Sequence, residues 1–190
     1  MKRKKFQKKY IGNGGCRMKK RRIFSNLNDK EFAWVLYDVG NSAYTMLACA
    51  LIPIWFKAMA IGTRPGQLTS DQATAYYSMA IAVITIVVAL LGPVCGAISD
   101  HKGMKKIFFT TTVAVGVSGC ILNGFAYQWI AFLLLFAVTK IFYNMSLMFY
   151  DSMLNDITTE ERMDEVSSYG FAWGYLGSCI PCLIALVAYV

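Results

Sequence analysis

The fold is decided by the stretch Gly96-Ala97-Ile98-Ser99-Asp100-His101-Lys102-Gly103-Met104-Lys105-Lys106, a short charged segment between two long apolar ones. It combines a carboxylate, lysines and glycines in a turn where few soluble proteins would place them together. We therefore expect this stretch to be a cytoplasmic loop of an integral membrane protein.

The composition excludes an ordinary soluble domain. Hydrophobic residues make up 56% of the 190 residues and charged residues only 16%, against about 45–50% and about 25% in soluble domains. Of the 19 Lys and Arg, 12 fall within residues 1–30, whereas residues 107–139 contain no Asp, Glu, Lys or Arg. The net charge of +8 therefore belongs to an amino-terminal tail.

Five apolar segments are long enough to cross a membrane, which takes about 20 residues for roughly 30 Å of hydrocarbon. Backbone amides inside hydrocarbon must be satisfied within their own segment, so these segments are predicted to be helices. The sequence thus predicts an all-α integral membrane protein. Its basic tail covers 1–31, and its helices lie at about 32–59, 72–99, 107–127, 129–150 and 166–190.

The distribution of Lys and Arg predicts the orientation, because these residues favour the cytoplasmic side. The tail is therefore expected in the cytoplasm, together with the 96–106 loop and a loop at 151–165, in a cell membrane or, in a eukaryote, a vacuolar membrane. The second loop is rich in acidic residues, which influence topology little. Its candidate functional residues are Asp156, Glu161 and Arg162.

The basic tail also has the charge of a nucleic-acid-binding arm, but no known binding module accompanies it. We expect it to orient the first helix and to contact anionic lipid, and we expect no nucleic-acid partner. Asn28 and Glu31 have the spacing of a capping box, which predicts the start of the first helix.

The 96–106 stretch resembles the signature between helices 2 and 3 of the major facilitator superfamily, Gly-x-Leu-(Ala/Ser)-Asp-Arg-x-Gly-Arg-(Arg/Lys)-(Arg/Lys). The sequence departs from it at His101 and Met104; the matching positions are Gly96, Ile98, Ser99, Asp100, Gly103, Lys105 and Lys106. Two further stretches look like the vacuole effluxer-like (autophagy-related amino-acid effluxer) branch. The first is Trp34-Val-Leu-Tyr37-Asp38-Val-Gly-Asn41-Ser42-Ala43-Tyr44. The second lies within 155–177 and consists of Asn155-Asp156-Ile157, Glu160-Glu161-Arg162 and Gly170-Phe171-Ala172-x-Gly174-Tyr175-Leu176-Gly177.

The resemblance implies a fold of twelve helices in two halves, with a solute cavity between the halves. With five predicted helices, the chain looks like an amino-terminal fragment of such a fold. The expected partners are the lipid bilayer, a small-molecule solute and the missing carboxy-terminal half, in the same or a separate chain.

Apart from Lys57 near the end of the first span, two charged residues fall inside predicted spans, Asp38 and Lys140. An ionised side chain at the bilayer centre costs at least ~2.5–3.5 kcal/mol unless it is paired or hydrated. The resemblance implies that both helices line the cavity, so we hypothesise that Asp38 and Lys140 form a switchable ion pair or proton site. The alternatives are a purely structural pair, or an Asp38 at the hydrated inner rim. The polar neighbours expected along this path are Asn41, Ser42, Tyr44, Tyr143 and Asn144.

The resemblance also implies that the 96–106 loop is a conformational latch between the two halves. The residues expected to form it are Gly96, Asp100, Gly103, Lys105 and Lys106. Asp100 would complement the positive end of a helix, a contact typically worth about 0.3–1 kcal/mol. The alternative is a solvated turn that only sets the topology.

The sequence contains no carboxylate cluster, His pair or nucleophile arrangement of an enzyme, and its six cysteines lack metal-ligand spacing. We expect no catalytic residue, no metal and no cofactor. The resemblance implies a multi-pass transporter that moves amino acids or similar small metabolites by alternating access when complete. The alternative is a truncated or split membrane protein that has no transport activity alone.

Overall fold

The computed structural model describes residues 27–99, 101 and 103–189, and most of the basic tail, with Asp100 and Lys102, lies outside these residues. The helices are α1 (Asp29–Ala50), α2 (Ile52–Ala60), α3 (Ser70–Ser99), α4 (Met104–Asn123), α5 (Trp129–Ile157) and α6 (Glu160–Tyr189). Within the described ranges there is no β-strand, only an isolated bridge between Ile61 and Leu68.

Five helical stretches of the described chain are long and apolar enough to cross a membrane. They are Asp29–Ala60, Ser70–Ile98, Met104–Asn123, Trp129–Ile157 and Glu160–Ala188. The predicted all-α membrane fold class is thereby confirmed.

The first span differs from the prediction because it consists of two helices, α1 and α2, that meet at Leu51. Pro53 lies in the first turn of α2. Since proline has no amide hydrogen, it cannot bond to the carbonyl of Cys49, and the helix is interrupted there. The start of α1 is as predicted, because the capping box of Asn28 and Glu31 is formed.

The structure also differs from the expected loop at 151–165. Helix α5 continues to Ile157 and α6 begins at Glu160, so only Thr158 and Thr159 separate them. The prediction ended α5 where charged residues begin, but a helix can extend beyond the hydrocarbon when its apolar side chains still pack. Leu154 does so, against the buried cluster of Leu27, Val35 and Val166.

The helices form two groups. Helix α1 packs closely against α6, whereas α5 packs against α3 and α4. We call the end of the bundle where α1 and α6 begin the Glu31 end, and the opposite end, where α5 begins, the Trp129 end. At the Trp129 end, a cluster of Phe56, Ala60, Ala73 and Phe132 joins α2 to α3 and α5.

Candidate functional site

The close packing of α1 on α6 depends on three glycines of α6: Gly170, Gly174 and Gly177. A Cβ atom at Gly170 would lie 2.7 Å from Trp34 Cζ3, and one at Gly174 would lie 2.6 Å from Ser42 Oγ. A Cβ at Gly177 would overlap a methyl group of Val39. Since real Cβ atoms do not approach so closely, glycine is required for this seam between the two helices.

Helices α1 and α5 meet instead through aromatic side chains. The rings of Trp34 and Tyr150 stack with centroids 4.4 Å apart and planes 9° apart. The Trp34 Nε1–H donates to the Tyr150 carbonyl at 3.3 Å, and the Tyr150 hydroxyl donates to the Trp34 carbonyl at 3.2 Å. These large rings hold the backbones of α1 and α5 apart. Nearer the middle of the bundle, space is left between the two helices.

This space is a cavity of about 580 Å³ among α1, α5 and α6. Three of the seven predicted path residues line it, namely Asp38, Asn41 and Ser42. The other lining residues are Trp34, Thr45, Met46, Leu147, Tyr150, Asp151, Leu154, Ser167, Phe171, Tyr175 and Ser178.

Asp38 is half-buried in the cavity wall. The side chains of Asn41 and Tyr150 interact with its carboxylate, and the charge of Asp38 acts on Asp151 as well. Asn41 adds an unusual feature, because its Oδ1 atom is buried and has no hydrogen-bond partner in the described chain. The cavity thus holds two carboxylates, Asp38 and Asp151.

Lys140 does not pair with Asp38 in this structure. Its Nζ atom lies 4.7 Å from the centre of the Tyr143 ring and 5.6 Å from that of the Tyr44 ring. Tyr44 is six residues after Asp38, about 9 Å further along the helix axis at 1.5 Å per residue. The lysine is therefore held by cation–π contacts, nearer the Trp129 end than the carboxylate.

The remaining predicted path residues lie beside the cavity and do not line it. The Tyr143 hydroxyl forms a hydrogen bond with Thr45 Oγ1, a lining atom, and donates to the Asn41 carbonyl at 3.3 Å. Asn144 is half-buried on α5, outside the lining set.

The predicted latch loop contacts the end of α5. Lys105 Nζ lies 2.8 Å from Asp156 Oδ2 and also donates to the Ser152 carbonyl at 3.3 Å. Gly103 is the N-cap of α4 and has a φ of 86°, a conformation that favours glycine. Gly96 and Lys106 are exposed, and the predicted role of Asp100 falls outside the described residues.

A buried carboxylate joins α1 to the α5–α6 turn. The Glu31 side chain is 1% exposed, and its Oε1 atom lies 3.2 Å from Arg162 Nη1. Thr158 Oγ1 donates to the same oxygen at 3.0 Å, and the Asn28 backbone N–H donates to Oε2 at 2.7 Å. Of the residues predicted for this region, Arg162 and Asp156 form ion pairs, whereas Glu161 is exposed.

Sequence reasoning missed Asp151 as a cavity residue. It also missed that Glu31 forms an ion pair. Asp151 was passed over because the fourth predicted helix ended at Tyr150. The available signal was helical spacing, since Leu147, Asp151 and Leu154 follow one face and all three line the cavity. Glu31 was assigned only to the cap.

The described part of the chain has no group of three or more His, Cys, Asp or Glu side chains that could hold a metal ion. What the cavity offers is carboxylate, amide and hydroxyl groups beside aromatic rings, between helices long and apolar enough to cross a membrane. This arrangement suits the reversible binding of a small polar molecule inside a membrane.

Comparison with curated proteins finds similarity to a Bacillus subtilis (strain 168) protein named "Uncharacterized MFS-type transporter YxiO". The two are 39% identical over 167 residues, which cover 86% of this chain and 38% of the Bacillus protein. The chain is similar to a major facilitator-type protein. It spans well under half the length of that relative. No family model matches the chain, and no solved structure matches it significantly.

Proposed function

We propose that this chain forms the amino-terminal part of a multi-pass transporter of the major facilitator type, with Asp38 on the path of the solute. The observation that carries the proposal is the cavity of about 580 Å³, which contains carboxylates among helices apolar enough to span a membrane. Intramembrane charges are costly and typically mark solute or proton pathways. The printed name of the Bacillus relative supports the same function.

The proposed solutes are amino acids or similar small metabolites. This part of the proposal rests on the resemblance of 34–44 and 155–177 to the vacuole effluxer-like branch. The size of the cavity supports a small solute, because small-molecule sites occupy about 300–1,000 Å³.

Alternating access needs one helical half to move against another. The proposed partner is therefore a set of carboxy-terminal helices, in the same or a separate chain. We place the Glu31 end in the cytoplasm, because the basic tail precedes it. The 96–106 loop would then contact the partner helices from the cytoplasmic side, while Lys105 anchors the loop to α5 through Asp156.

The test is a transport assay with two proteins. One is this chain alone. The other is a chimaera of this chain and the segment of the Bacillus relative that follows the matched region. Each is reconstituted in proteoliposomes, and the uptake of a panel of radiolabelled amino acids is measured. We expect the chimaera to transport at least one of them and the chain alone to transport none.

Asp38→Asn in the chimaera should lower the initial rate of uptake at least tenfold. Asp164→Asn is the matched control, since Asp164 is an exposed carboxylate of α6 that does not line the cavity. A chimaera that inserts normally but accumulates no solute above empty vesicles would contradict the proposed function. Uptake by the chain alone would contradict the need for partner helices.

A further inference from the structure

Among the described residues, the cavity is lined by carboxylates without a matching basic side chain. Its lining includes two carboxylates, Asp38 and Asp151, and no Lys, Arg or His. The two carboxylates lie near enough for the charge of one to act on the other. Asp38 is half-buried and Asp151 is exposed, and because like charges close together repel each other, the pair favours a bound cation.

The basic side chains near the cavity contact other groups. The ion pairs among the described residues use the carboxylates of Glu31, Asp156 and Glu165. Lys140 lies on the Tyr44 and Tyr143 rings instead. No basic side chain of the described chain is within ion-pair distance of the two cavity carboxylates.

The remaining walls also suit a cation. Four lining residues are aromatic, Trp34, Tyr150, Phe171 and Tyr175. Trp34 and Tyr150 stack on each other, whereas Phe171 and Tyr175 are outside that stack, and the faces of aromatic rings attract ammonium groups within about 6 Å. Aromatic walls are superfluous for a bare metal ion or a proton, but they fit the carbon skeleton of an organic solute.

We propose that the cavity binds an organic cation, a solute whose ammonium group lies beside Asp38 and Asp151 and whose carbon skeleton contacts Phe171 and Tyr175. The inference rests on the proposed transport function, since it names the chemical class of the solute. Binding, however, is a property of this chain and can be measured without transport.

The probes are 2-phenylethylammonium, the neutral 2-phenylethanol and the anionic 3-phenylpropionate. They have similar size and differ in charge. Each is titrated calorimetrically into the purified chain in lipid nanodiscs, at constant sodium chloride. We expect the ammonium to bind at least tenfold more tightly than the alcohol, because hydrogen bonds between charged groups are stronger than those of a neutral hydroxyl, and we expect no binding of the carboxylate.

Asp38→Asn and Asp151→Asn should each weaken the binding of the ammonium about tenfold or more, whereas Asp164→Asn should leave it unchanged. Circular dichroism checks the helical content of every variant. If a variant loses helicity, the order of the affinities of the three probes for the unsubstituted chain tests the cation site instead. Tyr175→Leu, on the opposite wall, then serves as a second variant and should weaken binding of the ammonium more than that of the alcohol.

Equal affinity for the ammonium and the alcohol, tighter binding of the anion, or an unchanged affinity in both Asp variants would overturn the inference. These results are independent of the uptake assay. Transport without a preference for ammonium solutes contradicts only the cation site, and ammonium binding without transport contradicts only the proposed function.

Discussion

Arg162 Nη1 lies 3.2 Å from Glu31 Oε1, and this ion pair joins the first turn of α1 to the first turn of α6. The glutamate is 1% exposed, while the arginine is 33% exposed. Removing one partner of a fully buried pair typically costs about 3–5 kcal/mol, but Arg162 also lies 3.6 Å from Glu165 Oε2, so it keeps a partner when Glu31 loses its charge. Since Arg162 is partly hydrated, we expect Glu31→Gln to lower the free energy of unfolding by about 2–3 kcal/mol.

The measurement is equilibrium unfolding of the purified chain in mixed micelles. Glu161→Gln is the matched control, because Glu161 is exposed and lies beside Arg162 in the sequence. It should change the stability by less than about 0.5 kcal/mol. Equal effects of the two substitutions would show that the buried ion pair does not stabilise this end of the bundle.

The glycine seam between α1 and α6 gives a second prediction. Gly174→Ala would bring a methyl group to 2.6 Å from Ser42 Oγ and 3.1 Å from Asp38 Oδ2. We expect it to destabilise the chain by about 1–3 kcal/mol, the usual cost of overpacking. Gly40→Ala is the control, because a Cβ at Gly40 would have no neighbour within 4 Å, and alanine is the better helix former.

A double substitution makes this test sharper. Ser42→Ala removes the closest atom and leaves the Ser42 Cβ at 3.5 Å from the new methyl group. Gly174→Ala should therefore cost less in the Ser42→Ala background, as the free energy of unfolding would show. A cost that does not depend on residue 42 would contradict the close approach of the two helices.

The sequence was sufficient to predict five membrane-spanning helices, because hydropathy alone separates apolar helices from their connections. It could not show how far α5 extends. Four of the seven residues of α5 beyond Tyr150 are polar, and the segment is held by packing of Leu154 on residues that are distant in sequence. Asp151 was missed for this reason, although it shares the cavity with Asp38.

The sequence also predicted Asp38 and Lys140 as intramembrane charges but could not determine their contacts. Those contacts depend on the relative register of α1 and α5 and on the direction of a long lysine side chain. Neither is encoded by local spacing. In the structure two tyrosine rings, not the carboxylate, contact the lysine.

The proposed orientation predicts which end of the bundle is accessible from outside the cell. Arg64 lies at the Trp129 end and Asp164 on the first turns of α6, at the Glu31 end. In a chain whose native cysteines are replaced by alanine, Arg64→Cys should react with a membrane-impermeant maleimide on intact cells. Asp164→Cys should react only after permeabilisation, as a mobility shift on a gel would show. The reverse pattern would place the Glu31 end outside.

The separation of Lys140 from Asp38 predicts that the two residues contribute independently to stability. In a double-mutant cycle, the effects of Asp38→Asn and Lys140→Gln on the free energy of unfolding should add within about 0.5 kcal/mol. A direct ion pair would give a larger coupling energy. The positive control is the cycle of Lys140→Gln with Tyr143→Leu, which removes the ring 4.7 Å from the ammonium. We expect a coupling of about 0.5–2 kcal/mol there. If the Asp38 cycle shows the larger coupling, the two charges do pair in solution and the tyrosine contacts are secondary.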